Sequence, residues 1–282
     1  MRAGIGGLLA VLLAGAAPVA AQDAALLDRG RYLVEGIVAC GNCHTQKGPG
    51  GDLPGMAMAG GTVIEEPGLF RAVVPNITPD AETGIGRWTD AQLALAIREG
   101  RRPDGSIIGP PMPIELYRGI ADRDLQAMVA YLRSLPAVRN PTGKSSFQIP
   151  LPPAYGPPVG EVVPPADEPV ARGAYLAGPL GHCTECHTPM GAEGRRDWSR
   201  TGAGGPPIAT PFGPVVPRNI TPHREAGIGG WTDAQVRQAV TAGIAADGRR
   251  LSPPMGYGYY ARMQPADLAD LTAYLRSLPA LP

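Results

Sequence analysis

The four cysteines of this chain all fall in two five-residue units of one form, Cys40-Gly-Asn-Cys43-His44 and Cys183-Thr-Glu-Cys186-His187. C-x-x-C-H is the spacing of covalent haem attachment. Two thiols add to the vinyl groups of a porphyrin, and the adjoining histidine is held beneath the iron as its proximal ligand. A four-cysteine zinc site gives no reason for a histidine after each pair. A disulfide framework belongs to shorter secreted chains and does not place its cysteines in identical units. Two units imply two covalently bound haem c groups, and with them redox chemistry.

A haem iron with a proximal histidine either takes a sixth ligand or stays open. The chain has 8 methionines, and an internal repeat sorts them. Cys40 and Cys183 stand 143 positions apart, and Arg29-Gly30, Asn76-Ile-Thr-Pro79, Trp88-Thr-Asp-Ala-Gln92 and Tyr131-Leu-Arg-Ser-Leu-Pro136 all recur at that offset. Among the methionines only Met112 and Met255 correspond, each after a Pro-Pro pair. These two are the expected distal ligands; the others read as gap-filling or surface residues. His/Met ligation closes both irons and raises their potentials. The cofactor-binding set is therefore Cys40, Cys43, His44 and Met112 with Cys183, Cys186, His187 and Met255, and His44, Met112, His187 and Met255 are the iron ligands. His182 and His223 have no histidine counterpart and read as structural or surface residues, with His223 as the better candidate should a histidine replace Met255. Trp88/Trp231, Tyr117/Tyr260 and Tyr131/Tyr274 correspond. Packing is the default for all six, although an indole N–H of Trp88 or Trp231 could donate to a haem propionate. Arg71 and Arg218 lie just before the Asn-Ile-Thr-Pro segments but do not correspond, and receive no role.

The elements that must position these residues repeat as well. The spacing predicts a first helix from about Ala24 to Cys40, with Leu26, Leu33 and Ile37 on one face, delivering the haem motif at its end. A Gly-rich loop spans Gly48 to Gly61. Thr89 and Gln92, echoed by Thr232 and Gln235, form a capping box for a helix through Glu99 that the turn Pro103-Asp104-Gly105 ends. A final helix over about Asp122 to Leu135 carries Leu125, Met128, Val129 and Leu132 on one face, and Pro136 and Pro279 stop the two copies. No substantial sheet is required. Residues 136–170 hold ten prolines and read as a stiff, extended connector. The expected architecture is mainly α: two tandem class I cytochrome c domains related by duplication, 22–135 and 171–282, joined by the Pro-rich connector 136–170.

At 282 residues the chain is long enough for two such domains. Its 25 basic and 25 acidic residues cancel, which points to neither nucleic acid nor an anionic membrane surface. Only Lys47 and Lys144 are lysines, so a lysine ring around an exposed haem edge is not expected. Residues 1–21 read as a signal peptide: Arg2, a short apolar stretch from Ile5 to Ala17, and small residues Val19-Ala20-Ala21 before Gln22. Export to the periplasm is expected, with an uncleaved anchor as the lesser reading and no transmembrane segment in the mature chain.

These residues resemble tandem class I c-type cytochromes. More narrowly, Asn76-Ile-Thr-Pro-Asp80, Thr83-Gly-Ile-Gly-Arg-Trp-Thr-Asp90, Arg102-Pro-Asp-Gly105, Pro110-Pro-Met112 and Ala130-Tyr-Leu-Arg-Ser-Leu135 resemble the cytochrome subunits of periplasmic alcohol, gluconate and aldehyde-type dehydrogenases. The resemblance implies attachment through the two cysteines, axial ligation by the histidine and methionine of each copy, and electron transfer from a dehydrogenase to a terminal oxidase or small carrier. The best-known subunits of that kind carry three haems and a C-terminal membrane anchor, and neither is expected here. A soluble diheme carrier or a subunit of a different complex therefore stands beside that reading. The alternative is a diheme enzyme. A peroxidase needs an iron that opens, against which the paired methionines argue. A thiosulfate dehydrogenase needs a cysteine ligand, against which the consumption of all four cysteines argues. A gas sensor needs an open iron and a signalling domain.

Overall fold

The computed structural model describes residues 19–210 and 213–282, so the expected signal peptide, apart from residues 19–21, lies outside the described residues. The first half runs α1 (Val19–Tyr32), α2 (Cys40–His44), β1 (Lys47–Gly48), β2 (Gly51–Asp52), β3 (Val63–Glu66), β4 (Phe70–Val73), α3 (Asp90–Glu99), α4 (Ile114–Tyr117) and α5 (Asp122–Ser134). After β5 (Ser146–Phe147) follow α6 (Pro169–Tyr175), α7 (Cys183–Cys186), α8 (Asp233–Ala242), α9 (Tyr257–Tyr260) and α10 (Pro265–Ser277). The chain is mainly helical, and no described helix is long and apolar enough to cross a membrane.

Two helix pairs carry the packing, α1 against α5 and α6 against α10. Each pair crosses at a glycine. A Cβ on Gly30 would stand 2.0 Å from the carbonyl oxygen of Ala127, and one on Gly173 would stand 2.0 Å from that of Asp270. No other residue permits so close a crossing. Leu125, Met128, Val129 and Leu132 of α5 are all buried, as their spacing predicts. The capping boxes form as expected: Thr89 accepts from the Gln92 amide and Gln92 from the Thr89 amide, and Thr232 with Gln235 does the same for α8.

Three details differ from the sequence reading. The first helix does not run unbroken to Cys40. α1 stops at Tyr32, a wide π-type turn spans Leu33–Ile37 with Gly36 outside helical geometry, and Ala39 turns left-handed before the motif starts its own helical turn. The second half does the same through Leu176–Leu180 and a left-handed His182. Gly36 and Pro179, the two strongest helix breakers, occupy the same place in the two turns. Second, α3 runs through Glu99 as expected, but the left-handed Gly100 (φ 67°) ends it rather than the Pro103-Asp104-Gly105 turn. Third, a small antiparallel sheet exists: β3 pairs with β4, and β5, from within the Pro-rich stretch, adds to β4 through Phe70–Phe147. That stretch is tied to the first half, with Tyr155 donating to the Ile108 carbonyl (2.8 Å) and Asp122 N–H to that of Val162 (2.9 Å).

The halves meet through a reciprocal clasp. Tyr32 donates its hydroxyl to Asp267 and accepts from the Gln264 amide (3.2 Å). Tyr175 donates to Asp124 (2.9 Å) and accepts from the Ala121 amide (3.0 Å). Every residue of the second set stands 143 positions from its counterpart in the first. A contact in which surface i meets j while j meets i is the signature of a twofold-like interface.

Candidate haem-attachment sites

Each C-x-x-C-H unit occupies one short helical turn, which brings the two cysteines i and i+3 to one side. None of the four cysteines pairs with another in a disulfide. Burial pushes Cys40 up to about 12, Cys183 to about 11 and Cys186 to about 12; Cys43 is raised by burial and then by the charge of Glu185.

The histidines are fixed from behind. His44 Nδ1 donates to the carbonyl of Pro75 (2.9 Å), and His187 Nδ1 to that of Arg218 (2.5 Å). A carbonyl only accepts, so Nδ1 carries the proton and Nε2 is left with its lone pair. Burial lowers both histidines, which favours the neutral, ligating form. The Gly60 amide holds the His44 carbonyl (2.8 Å), and the Gly204 amide holds that of His187 (3.0 Å). The residues present thus fit haem c at both turns, in donor chemistry and in ring orientation.

The Asn-Ile-Thr-Pro segments follow these carbonyl acceptors and set them in place. Asn76 Oδ1 accepts from the Thr78 amide (2.9 Å) and hydroxyl (2.7 Å), and Asn219 does the same for Thr221 (2.8 and 2.6 Å). Arg218, given no role from sequence, matters through its backbone. Arg133 and Arg276 also escape the sequence reading. Arg133 donates to the carbonyls of Ile85 (2.7 Å) and Trp88 and pairs with Asp90; Arg276 does so with Ile228 (2.7 Å), Trp231 and Asp233. The recurrence of both arginines inside Tyr-Leu-Arg-Ser-Leu-Pro is the signal that could have found them.

Met112 and Met255 are half-buried against the core, each just before a short helix, α4 and α9. Met58, Met128 and Met263 are buried core residues and Met190 is exposed. His223 Nδ1 accepts from the amides of Glu225 (3.3 Å) and Ala226 (3.0 Å), capping a turn. His182 is half-buried at the interface, edge-on to Tyr117 and lowered by burial to about 4. Tyr117 and Tyr260 are buried near both motifs, and Trp88 and Trp231 pack partly buried against the core.

The cytochrome c family profile matches residues 170–279. The chain is 30% identical to a diheme cytochrome c-type protein of Cereibacter sphaeroides, over 86% of this chain and 82% of that one. It is 31% identical to the cytochrome c subunit of a quinone alcohol dehydrogenase of Gluconobacter oxydans, over 98% of this chain and 59% of the relative. It is 33% identical to the cytochrome subunit of a fructose dehydrogenase of Gluconobacter japonicus, over 90% of this chain and 53% of the relative, so the chain spans only part of these two longer proteins. Fold, motifs and relatives define a c-type cytochrome. The chain belongs to the cytochrome c family, a family that holds haem c covalently.

Proposed function

We propose that this chain is a periplasmic diheme electron carrier built from two duplicated cytochrome c domains, 22–135 and 171–282, on either side of the connector 136–170. It takes electrons from a dehydrogenase partner and passes them to a respiratory acceptor, a terminal oxidase or a small carrier. One observation carries the reading: each C-x-x-C-H turn directs its histidine Nδ1–H to a backbone carbonyl 31 residues further on, Pro75 or Arg218. A single site plus a degenerate remnant would not keep both second contacts. The recurrence of the capping boxes, crossing glycines and arginine clamps at one offset supports duplication.

Cys40, Cys43, Cys183 and Cys186 would hold two haems covalently, and His44 and His187 would present Nε2 to the irons. Met112 and Met255, each on a Pro-Pro loop, would complete the closed sites. Haem supplies the one-electron iron couple; the chain supplies orientation, apolar cover and a fixed spacing of the two sites. The dehydrogenase partner is inferred from the names of the relatives, and the periplasm from the expected export signal.

The test is an optical spectrum of the purified protein, ferric and ferrous, with carbon monoxide added to the reduced form. Two low-spin haems with the methionine-to-ferric-iron charge-transfer band and no carbon monoxide binding are expected. Binding at either iron would overturn the closed-site reading and make a haem enzyme the better description.

A further inference from the structure

Asn42 lies inside the first haem motif, between its cysteines, yet its side chain is spent on the other half. Its Nδ2 donates to the carbonyl of Pro254 at 2.8 Å. Pro254 immediately precedes Met255. On the other side of that methionine, Gly256 is buried, and a Cβ built on it would lie 3.6 Å from both Ala39 Cβ and Asn42 Nδ2. Met255 is thus bracketed by two residues that both rest on the first haem-attachment turn.

Neighbouring contacts keep that loop against the turn. Gly41 is packed so closely by Tyr259 that an added Cβ would stand 2.8 Å from its hydroxyl oxygen. Lys47, three residues beyond His44 in β1, donates to the same hydroxyl at 2.9 Å and lies over the Tyr259 ring. The loop after Met255 is clamped by the first half as it enters α9.

The reverse contact is missing. Glu185 stands where the repeat places the counterpart of Asn42, and Pro111 where it places that of Pro254. Among the described residues no side chain donates to the Pro111 oxygen. Glu185 instead approaches His182 within its own half (3.6 Å).

We infer that Asn42 is a positioning residue for the iron site of the other half: it holds the Pro254 carbonyl and thereby seats Met255, while Met112 has no such support. The inference rests on the reading of Met112 and Met255 as iron ligands. It makes the second site dependent on the first, and not the reverse.

The experiment follows the methionine-to-ferric-iron band in the holoprotein, in two backgrounds. In Met112→Ala the remaining band reports Met255, and in Met255→Ala it reports Met112. If either parent fails to lose about half of the wild-type band, the ligand assignment itself is wrong and the failure is recognised there. Asn42→Asp is then added to each and imidazole titrated in to displace the methionine. A net hydrogen bond is worth about five- to tenfold in such an equilibrium. In the Met112→Ala background Asn42→Asp is expected to let imidazole displace Met255 at about five- to tenfold lower concentration. In the Met255→Ala background displacement of Met112 is expected to be unchanged. Asn42→Leu, of similar size and without charge, should reproduce both results. Equal weakening of both methionines, or of neither, would overturn the inference.

Discussion

The two halves of this chain agree around the motif histidines and disagree at their common face. Around each histidine the same contacts recur: the Nδ1 bond to a carbonyl, the glycine amide on the histidine carbonyl, and the arginine clamped beneath the tryptophan loop. At the interface the corresponding residues differ. Asn42 answers to Glu185, Ala39 to His182, and Glu35, which accepts from Tyr131, to Gly178. Arg29 pairs with Asp124, whereas Arg172 pairs with Asp270 and not with Asp267. The hydrogen bonds of the two histidines match, so these differences at the shared face are a source of any difference between the two sites. Glu185 is the clearest case. Burial, reinforced by Glu115, pushes it up to about 7, and its charge reaches Cys43, Cys186, Tyr117 and Tyr260.

The largest expected break in this asymmetry comes from His182→Ala, which gives the second half the residue of the first. Alanine is tolerated in the left-handed conformation there, as Ala39 shows (φ 51°). His182 titrates at about 4 in the folded chain against an ordinary 6.5, because burial disfavours its charged form. Its contribution to stability is complete above pH 6.5 and is lost as the pH falls towards 4, a swing of about 3 kcal/mol. Glu185 works in the opposite sense: its raised value favours the folded state below its ordinary 4.5, an advantage lost as the pH rises through about 7. The variant should lose about 3 kcal/mol less than wild type between pH 7 and pH 4 in denaturant unfolding of the holoprotein. An unchanged acid limb would show that His182 is not the source.

The clasp offers a finer comparison, because its two arms are equivalent in connectivity but not in surroundings. Tyr175 meets Asp124, which is 8% exposed and already held by Arg29 at 2.8 Å; Tyr32 meets the more open Asp267. Water replaces a lost partner more readily at Asp267. Tyr175→Phe should therefore cost about 2 kcal/mol and Tyr32→Phe about 1 kcal/mol, within the range for hydrogen bonds to charged groups or just below it. The double variant should split one calorimetric transition into two, as the halves unfold separately. Costs below about 0.5 kcal/mol for both would mean that apolar packing alone holds the face together.

The candidate haem sites are more legible in the sequence than the interface, and the reason is physical. Covalent attachment needs fixed residue types at fixed spacing, so Cys40, Cys43 and His44 are legible in five residues. The offset of 143 carries that reading to Met112 and Met255. The acceptors of the histidine N–H groups leave no such trace, because a backbone carbonyl has no side-chain signature. Asn42 and Pro254 stand 212 positions apart and share no motif, so their contact is visible only in three dimensions. The first helix reads too long in sequence for a related reason: its apolar spacing continues through Leu33 and Ile37, which are indeed buried, but on a π-type turn. Periodicity reports which face is buried and not how the backbone is wound.

The smallest expected effect tests a histidine that only one half has. His223 stands where the first half has Asp80, and a histidine near a haem invites a ligand role in place of Met255. In the structure its Nδ1 performs the turn-capping task of the Asp80 carboxylate, which accepts from the amides of Glu82 (3.1 Å) and Thr83 (2.7 Å). An aspartate at position 223 should do the same work. His223→Asp should change stability by less than about 0.5 kcal/mol, the range for surface substitutions away from buried networks. It should also leave the methionine-to-iron band and both midpoint potentials in place. Loss of a low-spin haem in this variant would instead make His223 a ligand, and the two iron sites would no longer be alike.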